Sequence, residues 1–125
     1  MSTDRELLEL AAKAYWAGEI DDVMSFYWDE QESAISYTHA DNQDHNGNDV
    51  ELLWNPLIDD GDALRLAVKL GISVVLLYSQ LMGGFKRGVS ARHMDIEVEE
   101  WGDDIEDVTR IAIVRAAAEI GKGMQ

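Results

Sequence analysis

Hydrophobic and polar positions along the chain change period several times, and each change marks an element. Thr3 followed three residues later by Glu6 forms a capping box, after which Leu7, Leu10, Ala11, Ala14 and Tyr15 recur at helical spacing until Gly18 offers a left-handed stop. This predicts a first helix over 4–17. Met24, Phe26 and Trp28 alternate with Ser25, Tyr27 and Asp29, and 34–38 resumes a β-rich pattern after a polar gap, which predicts a hairpin. The polar, acidic stretch 40–51, with Asn46-Gly47 inside it, reads as a loop. Trp54-Asn55-Pro56-Leu57 is a turn that leads into a second helix over 60–70, with Asp59 as its cap, Asp62 in its first turn and Gly71 as its stop. Ala63, Leu66, Ala67 and Leu70 form its buried stripe.

Residues 72–78 (ISVVLLY) are β-branched and almost continuously apolar, the mark of a strand covered on both faces. Beyond a glycine-rich turn at 83–88, Arg92, Met94, Ile96 and Val98 alternate with His93, Asp95, Glu97 and Glu99, which predicts a half-buried strand with an acidic outer face. Asp103 and Glu106 make a cap-like pair before 105–120, a helical stretch with few polar interruptions. The order α-β-β-α-β-β-α, read as one unit over 1–125, predicts an α+β fold with helices on both sides of a mostly antiparallel sheet.

Composition sharpens this picture at one point. Ten basic residues face 25 acidic ones, for a net charge of −15, with a pI near 4.3. Such a field repels nucleic-acid backbones and anionic membrane faces and favours a cationic partner, so direct nucleic-acid or membrane binding is not expected. The charge is uneven: residues 1–53 hold 13 acids and 2 bases, 54–92 hold 3 and 5, and 93–125 hold 9 and 3. Two acidic ends thus flank a mildly basic middle. The absence of cysteine excludes disulfides, thiolate chemistry and Cys-type zinc sites. With no signal-peptide pattern at the start and no apolar run near the roughly 20 residues of a membrane span, a soluble protein of the cytoplasm is expected.

The block WNPLIDDGDALRLAVKL at 54–70, the block IAIVRAAAEIG at 111–121 and the leading LLELAAKA together span about a third of the chain. They resemble the small bacteriophage and prophage proteins of the phage ABA-sandwich family. That resemblance implies a single-domain α/β/α sandwich and a phage or prophage origin, hence a host-cell cytoplasm, and it implies no activity and no catalytic residues. The acidic segment 41–51 lies outside the matching blocks.

Catalytic signatures are scarce. No G-x-S-x-G, Walker A, G-x-G-x-x-G or H-E-x-x-H occurs. His39, Asp41, Asp44, His45 and Asp49 place five potential ligands for a divalent cation within eleven residues, but a calcium loop aligned on Gly47 would put Leu53 where a bidentate Glu is required, and a solvated loop is the stronger reading. Gly83-Gly84-Phe85-Lys86-Arg87-Gly88 reads as an anion-binding nest or as a plain strand-to-strand turn. Asp59, Asp60 and Asp62 read as an acid/base group or, more simply, as helix-start capping. Arg115 sits in an apolar helix with Glu119 one turn on, and Trp16, Trp28, Trp54 and Trp101 read as core aromatics or as a partner anchor.

Three functional classes follow. The first, non-enzymatic and without cofactor, is an accessory protein that binds another protein, as a counter-defence inhibitor of the anti-CRISPR kind or an acidic nucleic-acid mimic that occupies the basic groove of a host defence complex. Its contact surface would comprise Asp41, Asp44, Asp49, Glu51, Asp95, Glu97 and Glu99. The second is a divalent-metal enzyme built on the loop from His39 to Asp49. The third is a structural or assembly protein of the virion, with which self-association into a homo-oligomer is compatible.

Overall fold

A computed structural model describes residues 3–17, 23–81 and 84–124. The first helix, α1 (Asp4–Tyr15), starts where Thr3 Oγ1 accepts the backbone N–H of Glu6, as the capping box predicts. It closes at Trp16, two residues before the expected glycine stop, and Gly18 lies outside the described residues. Helix α2 (Asp60–Leu70) is capped by Asp59, which accepts from Asp62 N–H, and is stopped by Gly71 in the left-handed region at φ +68°. Helix α3 (Ile105–Lys122) is capped by Asp104, not Asp103, because only Asp104 accepts the N–H groups of Glu106 and Asp107.

The strands are β1 (Val23–Asp29), β2 (Ala34–Gln43), β3 (Asp49–Trp54), β4 (Ser73–Leu81), β5 (Gly84–His93) and β6 (Ile96–Gly102). All pairings are antiparallel, in two three-stranded sheets of order β1-β2-β3 and β4-β5-β6. The α+β class, the antiparallel pairing and the three helices are those the sequence predicts. The layering differs. Helix α1 rests on β1 and β2 and also on α3, and α3 rests on β5 and β6, so the helices lie between two small sheets instead of flanking one. The physical reason is that each sheet has one apolar face. Trp28, Ile35 and Trp54 stand in one cross-strand row of the first sheet, and Val89 and Ala91 are buried in the second. Both faces belong to one hydrophobic cluster, which also holds Leu8 of α1 and Ala112, Val114 and Ala116 of α3.

An aromatic cluster joins α1 to the first sheet: Trp16 lies 4.9 Å from Tyr37, 5.1 Å from Trp54 and 5.2 Å from Phe26, and Tyr15 stacks on Trp54 at 5.4 Å. Asp60 pairs with Arg110 at 2.6 Å and ties α2 to α3, while Asp62 accepts from Asn55 N–H and from Arg65. All three aspartates of the 59–62 run therefore serve the α2 start and its neighbours, as the capping reading has it.

Three local expectations are corrected. The loop expected over 40–51 shrinks to 44–48, because β2 continues to Gln43 and β3 begins at Asp49; Asn46-Gly47 is a hairpin turn with Gly47 at φ +82°. The strand expected over 92–98 is broken by a two-residue turn at Met94-Asp95, so Arg92 faces Glu97 across β5 and β6 instead of sharing a strand with it. Of the glycine-rich segment 83–88, residues 84–88 are extended strand without the curled backbone an anion nest needs, and Gly83 lies outside the described residues.

Candidate functional site

The acidic surface begins with the alternation in β6. Ile96, Val98 and Glu100 are half-buried on the side that α3 covers, and Glu97, Glu99 and Trp101 point outward. Because β6 is an edge strand, its carboxylates line a groove of about 610 Å³ between that edge and α3. Five carboxylates contribute to the groove, from Asp95, Glu97, Glu99, Glu100 and Glu119, against two cations, Arg115 and Lys122.

Most of these groups are held in place. Glu100 pairs with Arg115 at 2.6 Å, bridging strand and helix. Glu97 accepts from Ser90 Oγ at 3.3 Å and lies 3.4 Å from the Arg92 guanidinium, while Arg92 Nε donates to the same Ser90 Oγ. Glu99 accepts from Trp101 Nε1 at 2.7 Å, and that indole lies flat over Gly88, where a side chain of any size would collide with it. Glu119 pairs with Lys122 at 3.1 Å on α3. The result is a carboxylate rim whose geometry is set by tryptophan, serine and arginine donors. It offers acceptors to a cation.

The N-terminal acids behave differently. Asp44 Oδ1 accepts the backbone N–H groups of Asn46 and Asn48, and its own N–H and C=O bond to Asn48 and Gly47. Those N–H groups hold its carboxyl below the ordinary aspartate value. Asp44 is thus the clasp of the β2–β3 turn. Glu51 accepts from Tyr27 OH at 2.8 Å across the first sheet. The side chains of His39, Asp41 and Asp49 lie outside the described ones. Among the described residues no three His, Cys, Asp or Glu side chains gather as a metal-binding group, and most of the His39–Asp49 ligand set lies outside them.

Of the acids the sequence assigns to one surface, Asp44 and Glu51 belong to the first sheet and Asp95, Glu97 and Glu99 to the second. Sequence reasoning missed Lys122 and named Glu119 only as a partner for Arg115, whose head it sent to Glu119 or to solvent; the structure pairs Arg115 with Glu100 and Glu119 with Lys122. An arginine in an otherwise apolar helix was the available signal; its partner lies on another element and has no local signature.

No protein-family model matches the chain, and neither a curated protein nor a solved structure resembles it. Among the described residues, no helix is long and apolar enough to cross a membrane.

Proposed function

We infer that this protein acts by binding another protein through the carboxylate rim of β6 and α3, the partner presenting a basic surface. The observation that carries the reading is the groove itself, where outward acids on a free strand edge are fixed by neighbouring donors, leaving an acceptor array ordered before a partner arrives. The phage-family resemblance sets this in a phage or prophage accessory protein, and a basic nucleic-acid site in a host defence complex is the partner class that fits.

Magnitude separates two forms of the idea. A charge of −15 spread over 7894 Å² averages one charge per about 530 Å², whereas duplex DNA treated as a cylinder carries about one per 110 Å². Uniform imitation of a nucleic acid is therefore too dilute by a factor of about five, and the concentrated rim on β6 has to supply the contact.

The test measures association with a basic-groove protein, a nucleic-acid-guided nuclease being the first probe, across a salt series. Electrostatic steering predicts an on-rate that drops steeply with salt while dissociation changes little. Asp95→Asn with Glu97→Gln and Glu99→Gln should slow association about tenfold and leave the fold intact; the same number of changes at Asp44, Asp49 and Glu51 should do less. Binding that ignores salt and both triple variants would overturn the acidic-rim reading.

A further inference from the structure

Among the described residues, sheet β4-β5-β6 has two free edges, and they differ in character. Along β6 the edge carries Glu97, Glu99 and Glu100, the kind of charge that deters strand addition. Along β4 the nine residues SVVLLYSQL contain no charge at all, in a chain of which 28% is charged. The expectation that this run is covered on both faces fails: Leu76 is 70% exposed and Tyr78 65%. Helix α3 rests on β5 and β6 and leaves β4 with an open recess of about 390 Å³ where Val74 meets Leu64 of α2, and another of about 230 Å³ beside Leu76.

We propose that β4 is the self-association surface of this protein, pairing antiparallel with β4 of a second copy about a two-fold axis at Leu76, so that two three-stranded sheets become one of six strands. The occupant is a second copy for three reasons. An antiparallel pair of identical strands about a two-fold is self-complementary by construction, so one uncharged edge supplies both halves of the contact. The side chains of Leu64, Val74, Leu76, Tyr78 and Phe85 together expose roughly 500 Å², taking about 170 Å² for a fully exposed large apolar side chain, and the strand backbone adds to this toward the ~800 Å² per partner of a stable interface. Charge beside the edge is mixed and close to balanced: Asp60, Glu106 and Arg110 line the recess at Val74, and Glu106 and Arg87 the one at Leu76, so the excess of acids does not fall here. The rim on β6 lies at the opposite edge of the same sheet, and the two readings stand or fall separately.

Sedimentation of the native chain at roughly 100 μM, where a micromolar dimer is almost fully formed, should give twice the 14.0 kDa of one chain. Raising salt should tighten the dimer by screening the distant acids, opposite in sign to its effect on the rim. Leu76→Lys places two like charges at the axis and should weaken the dimer about a hundredfold or more, while at concentrations too dilute for the dimer its melting transition should match the parent's, because Leu76 is solvent-exposed in the single chain. Since the chain has no cysteine, Leu76→Cys reports on itself alone and should cross-link between copies on mild oxidation, while Met94→Cys, at the exposed β5–β6 turn, should not. A species of 14.0 kDa at low and high salt, a Leu76→Lys variant that dimerises like the parent, or equal cross-linking of the two cysteine variants would each overturn the proposal.

Discussion

Gly121 of α3 lies against the backbone of Leu10 in α1 so closely that a β-carbon built on it would overlap the Leu10 carbonyl oxygen and sit 2.9 Å from the carbonyl carbon. The neighbour is backbone in a packed helix and cannot turn aside. The contact between α1 and α3 is lined with small residues, among them Ala11, Ala12, Ala116 and Ala117, all buried, which lets the two helices approach this far.

Gly121→Ala should therefore destabilise the protein by about 2–3 kcal/mol, although the same change in an exposed helix interior stabilises by roughly 0.5–1 kcal/mol. Gly123→Ala is the control, since its β-carbon would meet nothing nearer than 3.5 Å and its φ of −76° suits any residue. Denaturant midpoints of the two variants should move in opposite directions.

Gly71 fails to tolerate a side chain for a different reason. A β-carbon there would meet nothing within 4 Å, yet φ is +68°. Gly71→Ala should cost about 1 kcal/mol and Gly71→Val more, from backbone strain alone. Gly71→Asn should recover part of the loss, because asparagine tolerates the left-handed region; equal midpoints for Ala and Asn would argue for steric crowding instead.

Met94 carries the converse strain. It occupies the β5–β6 turn at φ +54° with 92% of its surface exposed, so its side chain gains little from burial and its backbone is held where non-glycine residues are disfavoured. Met94→Asn should raise stability by a few tenths to about 1 kcal/mol. A thermal melt resolves this, and a lowered midpoint would reveal a packing role for the methionine.

The Asp44 clasp is pH-dependent with a definite sign. Its carboxyl is held below the ordinary aspartate range by the Asn48 and Asn46 N–H groups, so its contribution is complete above the unfolded-state value and is lost as pH falls through the lower folded one. Amide exchange at Asn46 and Asn48 should accelerate as pH drops below about 4, after correction for intrinsic rates. Asp44→Ala should show the same loss at neutral pH and no further acid-induced change at those two amides.

What the sequence by itself determined lies within four or five residues along the chain. Thr3 with Glu6, Asp59 with Asp62, and Gly71 after Leu70 were readable because each cap is a bond or a φ value set by near neighbours. The helices around them, the first hairpin and the antiparallel α+β class followed from hydrophobic period. Tertiary structure decided the rest wherever two states share one pattern. The alternation from Arg92 to Val98 runs unbroken through a two-residue turn, and only the pairing of Arg92 with Glu97 shows that the chain doubles back there. Asn46-Gly47 marks a loop or a hairpin equally well until β3 finds β2. The run at 72–78 reads as buried because apolar β-branched residues seek cover, but what covers them is no property of the run; within one chain α3 reaches β5 and β6 and stops short of β4. The acidic rim follows the same logic. Its outward carboxylates are legible in the alternation of β6, while the Glu100–Arg115 pair that fixes the edge strand against α3 joins residues 15 apart in sequence, and only packing could bring them to 2.6 Å.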